Sequence, residues 1–554
     1  QYYYTSLFNS NSNYLSFNSI TSALQVTGTA ANPACISGPP CVPYNIFTQG
    51  GVTPAQLAYL YAPGTAYGTN DEKILHADAT LDLSKFGLES PWAHDGVEVN
   101  VGAEHRTEGL DFAPDYAELQ GLLSGFSGAS VAIDDSYSVS EGFTEVRVPV
   151  MQNQPWADDL VVDGGYRYSH YTTAGVTNTW KFEVQYAPVK DARLRVSLDR
   201  AVRAPNLIEL YNPQSYGNES FIGTDPCAPT IASGALVPAT ASLAQCEHTG
   251  ATAAQYGNGG TTSTISQCTA DQCGQVVGGN TDLKPEVGRT WSVGISLTPQ
   301  FLPGFLATID YFHIALSGEI GVIPGNYAFQ QCLDTGNPTD CALVVRTPAG
   351  ALHGATVAGG GYILQTSINT GAALVSGIDV GAQYTYPLRD GWGTLTADLT
   401  GTWLQHNTST PFPGAVSYDC AGLFGITCND GVNPRWRHTL RVNWATPWKV
   451  LLSAQWRYIG ESAFDNNSSN PSLQYEEEGA YDVINAHIPG YSYLDVTMVV
   501  HVTNGIRVRL GCTNLLDKDP PLLGADISDE TAMNSFPSYD TLGRQVFAGF
   551  TADF

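Results

Sequence analysis

The sequence predicts an all-β fold, a transmembrane antiparallel β-barrel of the outer-membrane type. Three observations predict it. Segments of about ten residues alternate apolar and polar side chains, as a strand with lipid on one face and water on the other must. The connectors between them alternate between tight and long. Trp and Tyr close the apolar faces at their ends, where a bilayer has its two interfaces.

The alternation runs the length of the chain. In VEVNVGAEHR, Val97, Val99, Val101 and Ala103 share one parity, and Glu98, Asn100, Glu104 and Arg106 the other. In TWKFEVQY, Trp180, Phe182, Val184 and Tyr186 oppose Lys181, Glu183 and Gln185. RLRVSLDR sets Leu194, Val196 and Leu198 against Arg193, Arg195, Ser197 and Asp199. IDVGAQYTY, WRHTLRVNW and IRVRLG repeat the pattern with Ile378/Asp379, Trp436/Arg437 and Ile506/Arg507. The chain ends on GRQVFAGFTADF, with Val546, Ala548, Phe550, Ala552 and Phe554 on one parity. About fourteen or fifteen such strands are legible. A soluble β-sandwich or propeller also yields alternating strands. Against it stand the strand lengths, the Arg, Glu and Asp on the polar parity, and the lack of a blade repeat.

The connectors PVKDAR (188–193) and TPWK (446–449) are tight, whereas 203–285, 318–361, 405–434 and 460–490 are long. Short turns at one end and long loops at the other are the habit of outer-membrane barrels, whose long loops are extracellular. Residues 1–70 read as an extracellular loop region with a Cys pair, and 71–554 as the barrel.

Composition agrees. Charged residues make up 14% and aromatics 11%, with 29 Tyr and 10 Trp; ordinary globular chains are roughly a quarter charged. No run of apolar residues is long enough for a transmembrane helix. A formal charge of −28 excludes nucleic acid as a partner, which needs a basic surface, and suits an acidic loop layer. No EF-hand spacing accompanies it. The N-terminus shows no signal-peptide pattern and no initiator Met, so the chain reads as mature, processed or truncated.

The cysteines come as local sets in loops: Cys35 and Cys41, Cys332 and Cys341, Cys420 and Cys428, and the four residues Cys227, Cys246, Cys268 and Cys273. Zinc sites favour C-x2-C, which is missing, so the spacing favours disulfides formed outside the cytoplasm, with the connectivity inside 227–273 left open. Cys512 falls on an apolar strand face and reads as a packed thiol.

No catalytic signature is present: no H-E-x-x-H, G-x-S-x-G or Walker A motif. His94, His105, His170, His313, His438 and His501 are scattered on or beside strands without metal spacing. The chain therefore reads as a non-enzyme without cofactor or metal. On the polar parity, Arg193, Arg195, Asp199, Arg437, Arg441, Arg507 and Arg509 face the lumen, where they meet a plug or set the selectivity of an open pore. In the long loops, Tyr211, Tyr216, Phe221, Tyr256, Tyr327, Phe329, Phe412 and Tyr418 stand among amides and glycines. Aromatic faces with amides suit sugars or other neutral polar rings, whereas an iron-loaded polyanion prefers Arg and Lys, in which these loops are poor. The alternative is that the aromatics pack the loops against one another.

Five segments resemble the TonB-dependent outer-membrane receptors: SLDRAVRAPNLIELY (197–211), GGNTDLKPEVGRTWSVGI (278–295), LVSGIDVG (374–381), RLGCTNLLDKDPP (509–521) and GRQVFAGFTADF, in the family's order. The resemblance implies a 22-stranded barrel filled by an N-terminal plug bearing a TonB box. Neither plug nor box is visible in this sequence, so the chain corresponds to part of such a barrel. It implies a bacterial outer-membrane receptor, a monomeric barrel in outer-membrane lipid. Such a receptor binds a scarce nutrient with its loops and imports it on energy from TonB. It also implies that the terminal aromatic, Phe554, is read by the barrel-assembly machinery. The remaining alternatives are a passive porin and a surface receptor or adhesin without transport.

Overall fold

The computed structural model describes residues 1–554 except 125–128, 220–223, 269–271, 355, 413, 426, 429–430, 475–482, 504, 525–534 and 554. Among the described residues the main sheet has 18 strands. Two are two-residue segments, Leu123–Ser124 and Tyr418–Asp419. The others are β1 (Tyr2–Ser16), β2 (Tyr61–Asp82), β3 (Glu98–Pro114), β4 (Ile133–Gln154), β5 (Ala157–Tyr171), β6 (Gly175–Val189), β7 (Ala192–Arg203) and β8 (Glu286–Leu297). They continue with β9 (Phe305–Gly321), β10 (Ile368–Pro387), β11 (Thr394–Thr410), β12 (Trp436–Ala445), β13 (Val450–Ile459), β14 (Tyr491–His501), β15 (Ile506–Thr513) and β16 (Gln545–Ala552).

Each strand pairs antiparallel with the next, from β1 on β2 to β15 on β16. This up-and-down meander is the wall of a transmembrane barrel. Among the described residues no ladder joins β16 to β1, and residues Leu75 to Asp82 of β2 pair with β3 alone. The sequence undercounts the strands because β1 lies inside 1–70, expected as loop. Its YYYTSLFNSNSNYLS carries no clean alternation and is held as a strand by its register, Tyr2 opposite Lys73 through Asn11 opposite Gly64.

The burial pattern inverts that of a soluble protein. On β7, Leu194, Val196 and Leu198 are exposed while Arg193, Arg195, Ser197 and Asp199 are half-buried. The apolar side is the lipid-facing side, and aromatic residues bound it. At the short-turn end Trp448 meets both Trp392 and Trp444 edge to face, and Trp444 Nε1 donates to the Trp392 carbonyl at 2.9 Å. At the other end Trp436 donates to His438 Nδ1 at 2.8 Å, and His438 stacks on Tyr458. Trp436 and Trp444 are eight residues apart on one face of β12, about 27 Å along the strand, which suits a tilted crossing of the hydrocarbon core.

The longest connections share one end. Segments 155–156, 190–191, 298–304, 388–393, 446–449 and 502–505 are short and share the other end with the fifteen-residue 83–97; 17–60, 115–132, 204–285, 322–367, 411–435, 460–490 and 514–544 lie at the opposite end, where 172–174 is a tight turn. The sequence overlooks 514–544 as a long connection and sets three of the others a few residues off. The long connections are folded, with two large hydrophobic cores of their own and a small cluster of Cys420, Cys428 and Leu473. The first cap joins 204–285 and 322–367 around Cys246, Phe329, Leu352, Ile363 and Phe412. It contains a four-stranded sheet built on Cys273–Gly278 and Tyr362–Thr366. The second joins 411–435, 460–490 and 514–544 around Phe424, Phe464, Ile488, Tyr493 and Phe536.

Candidate functional site

Two surfaces carry chemistry: the polar face of the wall and the loop layer above it. On the polar face, ion pairs cross from strand to strand. Arg193 reaches Asp159 at 2.7 Å, and Arg507 reaches Asp553 at 2.9 Å. Arg195 grips both oxygens of Asp310, at 2.7 and 2.8 Å, across the intervening Gly294. A Cβ at Gly294 collides with that carboxylate, so the glycine clears the bridge between β7 and β9. Asp199 accepts from Ser197 Oγ at 3.2 Å. Arg441 donates to Gln455. Arg437, Arg441 and Arg509 have no carboxylate within ion-pair distance among the described residues; Arg509 lies 5.5 Å from the Phe547 ring centroid. Sequence parity places all seven residues on the polar face, but it could not foresee which are paired, because pairing depends on cross-strand register.

The polar face differs from one side to the other. On β2–β6 it carries Glu72, Glu104 and Glu108 around Arg106, Glu141 beside Arg167 at 2.9 Å, and Glu145 beside Lys181 at 3.0 Å. Arg167 sits 4.6 Å from the Phe143 ring centroid, and that ring lies over Gly102, which leaves it room. On β12–β15 arginines prevail. Arg457 there makes a network that sequence reading misses. It bridges Asp495 at 2.7 Å and Asp540 at 2.6 Å, while Asp495 also accepts from the Asn514 backbone at 2.9 Å. Both ends of the loop 514–544 are thus fastened to one ion pair on the wall.

The five disulfides join Cys35–Cys41, Cys227–Cys246, Cys268–Cys273, Cys332–Cys341 and Cys420–Cys428; Cys512 is free and half-buried. In the first cap, Arg346 and Asp225 form a fully enclosed pair, with side chains 3% and 0% exposed and Nη1 to Oδ2 at 2.6 Å. Further bonds hold both partners: Arg346 donates to Thr249 Oγ1 and the Gly350 carbonyl, and Asp225 accepts from the Cys227 N–H. In the second cap, Asp465 is 0% exposed. Its Oδ2 accepts from the Cys428 N–H at 3.1 Å, and its Oδ1 has no hydrogen-bond partner among the described residues. Burial pushes its carboxyl up to about 6, against the pull of the backbone N–H groups around it. Gly425 lies so close that a Cβ there would strike the carboxylate.

The loop aromatics mostly serve the caps. Phe329 and Phe412 are 2% and 5% exposed, and Tyr327 packs on Phe412 with ring centroids 4.2 Å apart. Tyr256 donates to the Ala241 carbonyl, and Tyr216 donates to the Gly361 carbonyl while accepting from the Gly354 N–H. Tyr418 packs beside the Cys420–Cys428 pair. Tyr211 ends a short helix and is half-buried. Phe221 and Phe554 lie outside the described residues. The five basic residues of the longest connections are Lys284, Arg346, Arg435, Lys518 and Arg544. Arg346 is enclosed, Arg544 pairs with Asp517, Arg435 donates to the Gln405 carbonyl, and Lys518 sits over the Tyr491 ring.

The family model described as TonB dependent receptor-like, β-barrel, matches residues 1–515. The ferric enterobactin receptor of Pseudomonas aeruginosa, solved as a mutant in complex with enterobactin, superposes with TM-score 0.55 at 16% identity. That match covers 100% of this chain and 59% of that one. The siderophore receptor PirA of Acinetobacter baumannii superposes with TM-score 0.50 at 14% identity, over 89% of this chain and 55% of that one. The chain thus spans less than two thirds of either receptor's length, and the likeness is one of fold. No curated protein matches the sequence.

Proposed function

The chain belongs to the TonB-dependent receptor β-barrels of the outer membrane, and from that premise we propose that it captures a scarce nutrient with its loop layer and imports it on energy delivered through TonB. The supporting observation is the build of that layer: the longest connections gathered at one end, folded into two caps with cores and disulfides of their own. A passive pore has no need of so ordered a layer at its mouth.

For the ligand, the proposal is a neutral, oligosaccharide-like molecule. The caps' arginines are already committed to internal partners, so they offer a polyanionic ferric chelate few free donors, and carboxylates dominate the same loops. Titration of the purified receptor with a panel of oligosaccharides and ferric siderophores tests this. Tighter binding of an anionic chelate overturns the ligand class. Uptake of the bound solute that continues at full rate after TonB is removed from the cell overturns the transport reading and favours a pore.

A further inference from the structure

On the lipid-facing side of the wall, two arginines stand directly opposite each other. Arg200 of β7 pairs in register with Arg289 of β8, one cross-strand step beyond the Leu198–Trp291 pair. The neighbouring strands complete the row with Trp180, opposite Arg200, and Ala315, opposite Arg289. Like charges directly opposite on a sheet repel, their Cβ atoms only about 5 Å apart. Neither has a carboxylate within ion-pair distance among the described residues. Arg200 donates to the Asn178 backbone carbonyl, and Arg289 is exposed. In a chain of formal charge −28 with 24 Lys and Arg, an uncompensated cationic pair on the apolar face calls for a counter-charge from outside.

Its height says which. Below the pair run Leu198, Val196 and Leu194, all exposed and apolar, and Trp180 and Trp291 flank it. The pair therefore lies at the loop-end interface, where headgroups meet acyl chains. We propose that Arg200 and Arg289 seat the phosphate of an acylated, phosphorylated lipid of the outer leaflet. Two guanidiniums supply charge-assisted donors to one phosphate, and its acyl chains lie down the column below. A free phosphate satisfies the charges but leaves that column uncovered, so the lipid is the occupant. This goes beyond the transport reading and concerns the opposite face of the wall.

The test uses the full-length receptor extracted from outer membranes in mild detergent. Native mass spectrometry counts retained lipid in the wild type, in the double variant Arg200→Ala/Arg289→Ala and in Arg200→Lys/Arg289→Lys. Heat-modifiable migration checks that each is a folded barrel. Delipidated samples are titrated with a diphosphorylated, acylated glucosamine disaccharide, with its dephosphorylated form, and with inorganic phosphate. Retention of the phosphorylated lipid should fall on the order of tenfold in the alanine variant and stay near wild type in the lysine variant. Nutrient uptake should be unchanged in both, which separates this outcome from a failure of the transport reading. Equal retention by wild type and alanine variant, or equal binding of the dephosphorylated lipid, overturns the proposal. Inorganic phosphate that displaces the lipid at comparable concentration overturns it in favour of a free-anion site.

Discussion

Each of the two caps buries an aspartate, and the two are treated in opposite ways. Asp225 in the first cap is locked to Arg346, and both carry further hydrogen bonds. Asp465 in the second has backbone N–H contacts and a bare oxygen, and no cation faces it among the described residues. The first cap also holds three disulfides to the second cap's one. A paired buried charge makes a cap whose stability depends on both partners. An unpaired one makes a cap that answers to protons. The first cap thus behaves as a fixed lid element, and the second as the adjustable one.

The largest effect should come from breaking the pair. Arg346→Leu leaves Asp225 enclosed without its cation, a loss of about 3–5 kcal/mol. Hydrogen exchange in 204–285 and 322–367 should accelerate accordingly while the strands stay protected; unchanged exchange would mean the pair is idle.

Next comes the proton. Asp465 titrates near 6 in the folded cap, against 3.8 for an ordinary Asp. The folded state therefore binds this proton more tightly than the unfolded one. Its contribution is complete below about pH 4 and is lost as pH rises through 6, about 3 kcal/mol in all. Limited proteolysis of 460–490 should accelerate from pH 5 to 7.5 in the wild type. Asp465→Asn should flatten that profile, and a variant as pH-dependent as the wild type would remove Asp465 from the account.

The disulfides should differ less than their numbers suggest. Opening Cys227–Cys246, with a separation of 19, should cost about 3 kcal/mol, and opening Cys420–Cys428, with a separation of 8, slightly less. Paired Cys→Ser variants, followed by thermal unfolding of each cap, measure the gap. The smallest effect belongs to the surface pair of Arg544 and Asp517, both about half-exposed. Arg544→Ala should leave the second cap's unfolding midpoint unmoved, since exposed pairs are screened; a clear drop would mark a hidden role at the foot of β16.

Strand parity was legible because lipid and water impose it residue by residue. RLRVSLDR states both faces of β7, and the structure puts Leu194 outside and Arg195 inside. β1 was missed because its polar, Asn- and Ser-rich sequence lies mostly towards the loop end, where lipid no longer enforces alternation. The loop aromatics were found, with a ligand surface and loop packing both open; of them, Phe329 and Phe412 are core residues of the first cap. Nothing local separates an aromatic that packs from one that binds, since the distinction lies in what arrives from a distant segment.

By itself the sequence determined the wall: the antiparallel strands, their two faces, the end that carries long connections and the disulfide habit of those loops. These follow from periodicity and spacing, which are local. Only the tertiary structure decided who meets whom. Register set Arg195 on Asp310 over Gly294 and Arg200 against Arg289. Folding of segments more than a hundred residues apart set Arg346 on Asp225, and left Asp465 buried without a cation. Charges buried at a distance carry no periodic trace, so their pairing appears only once the chain has brought them together.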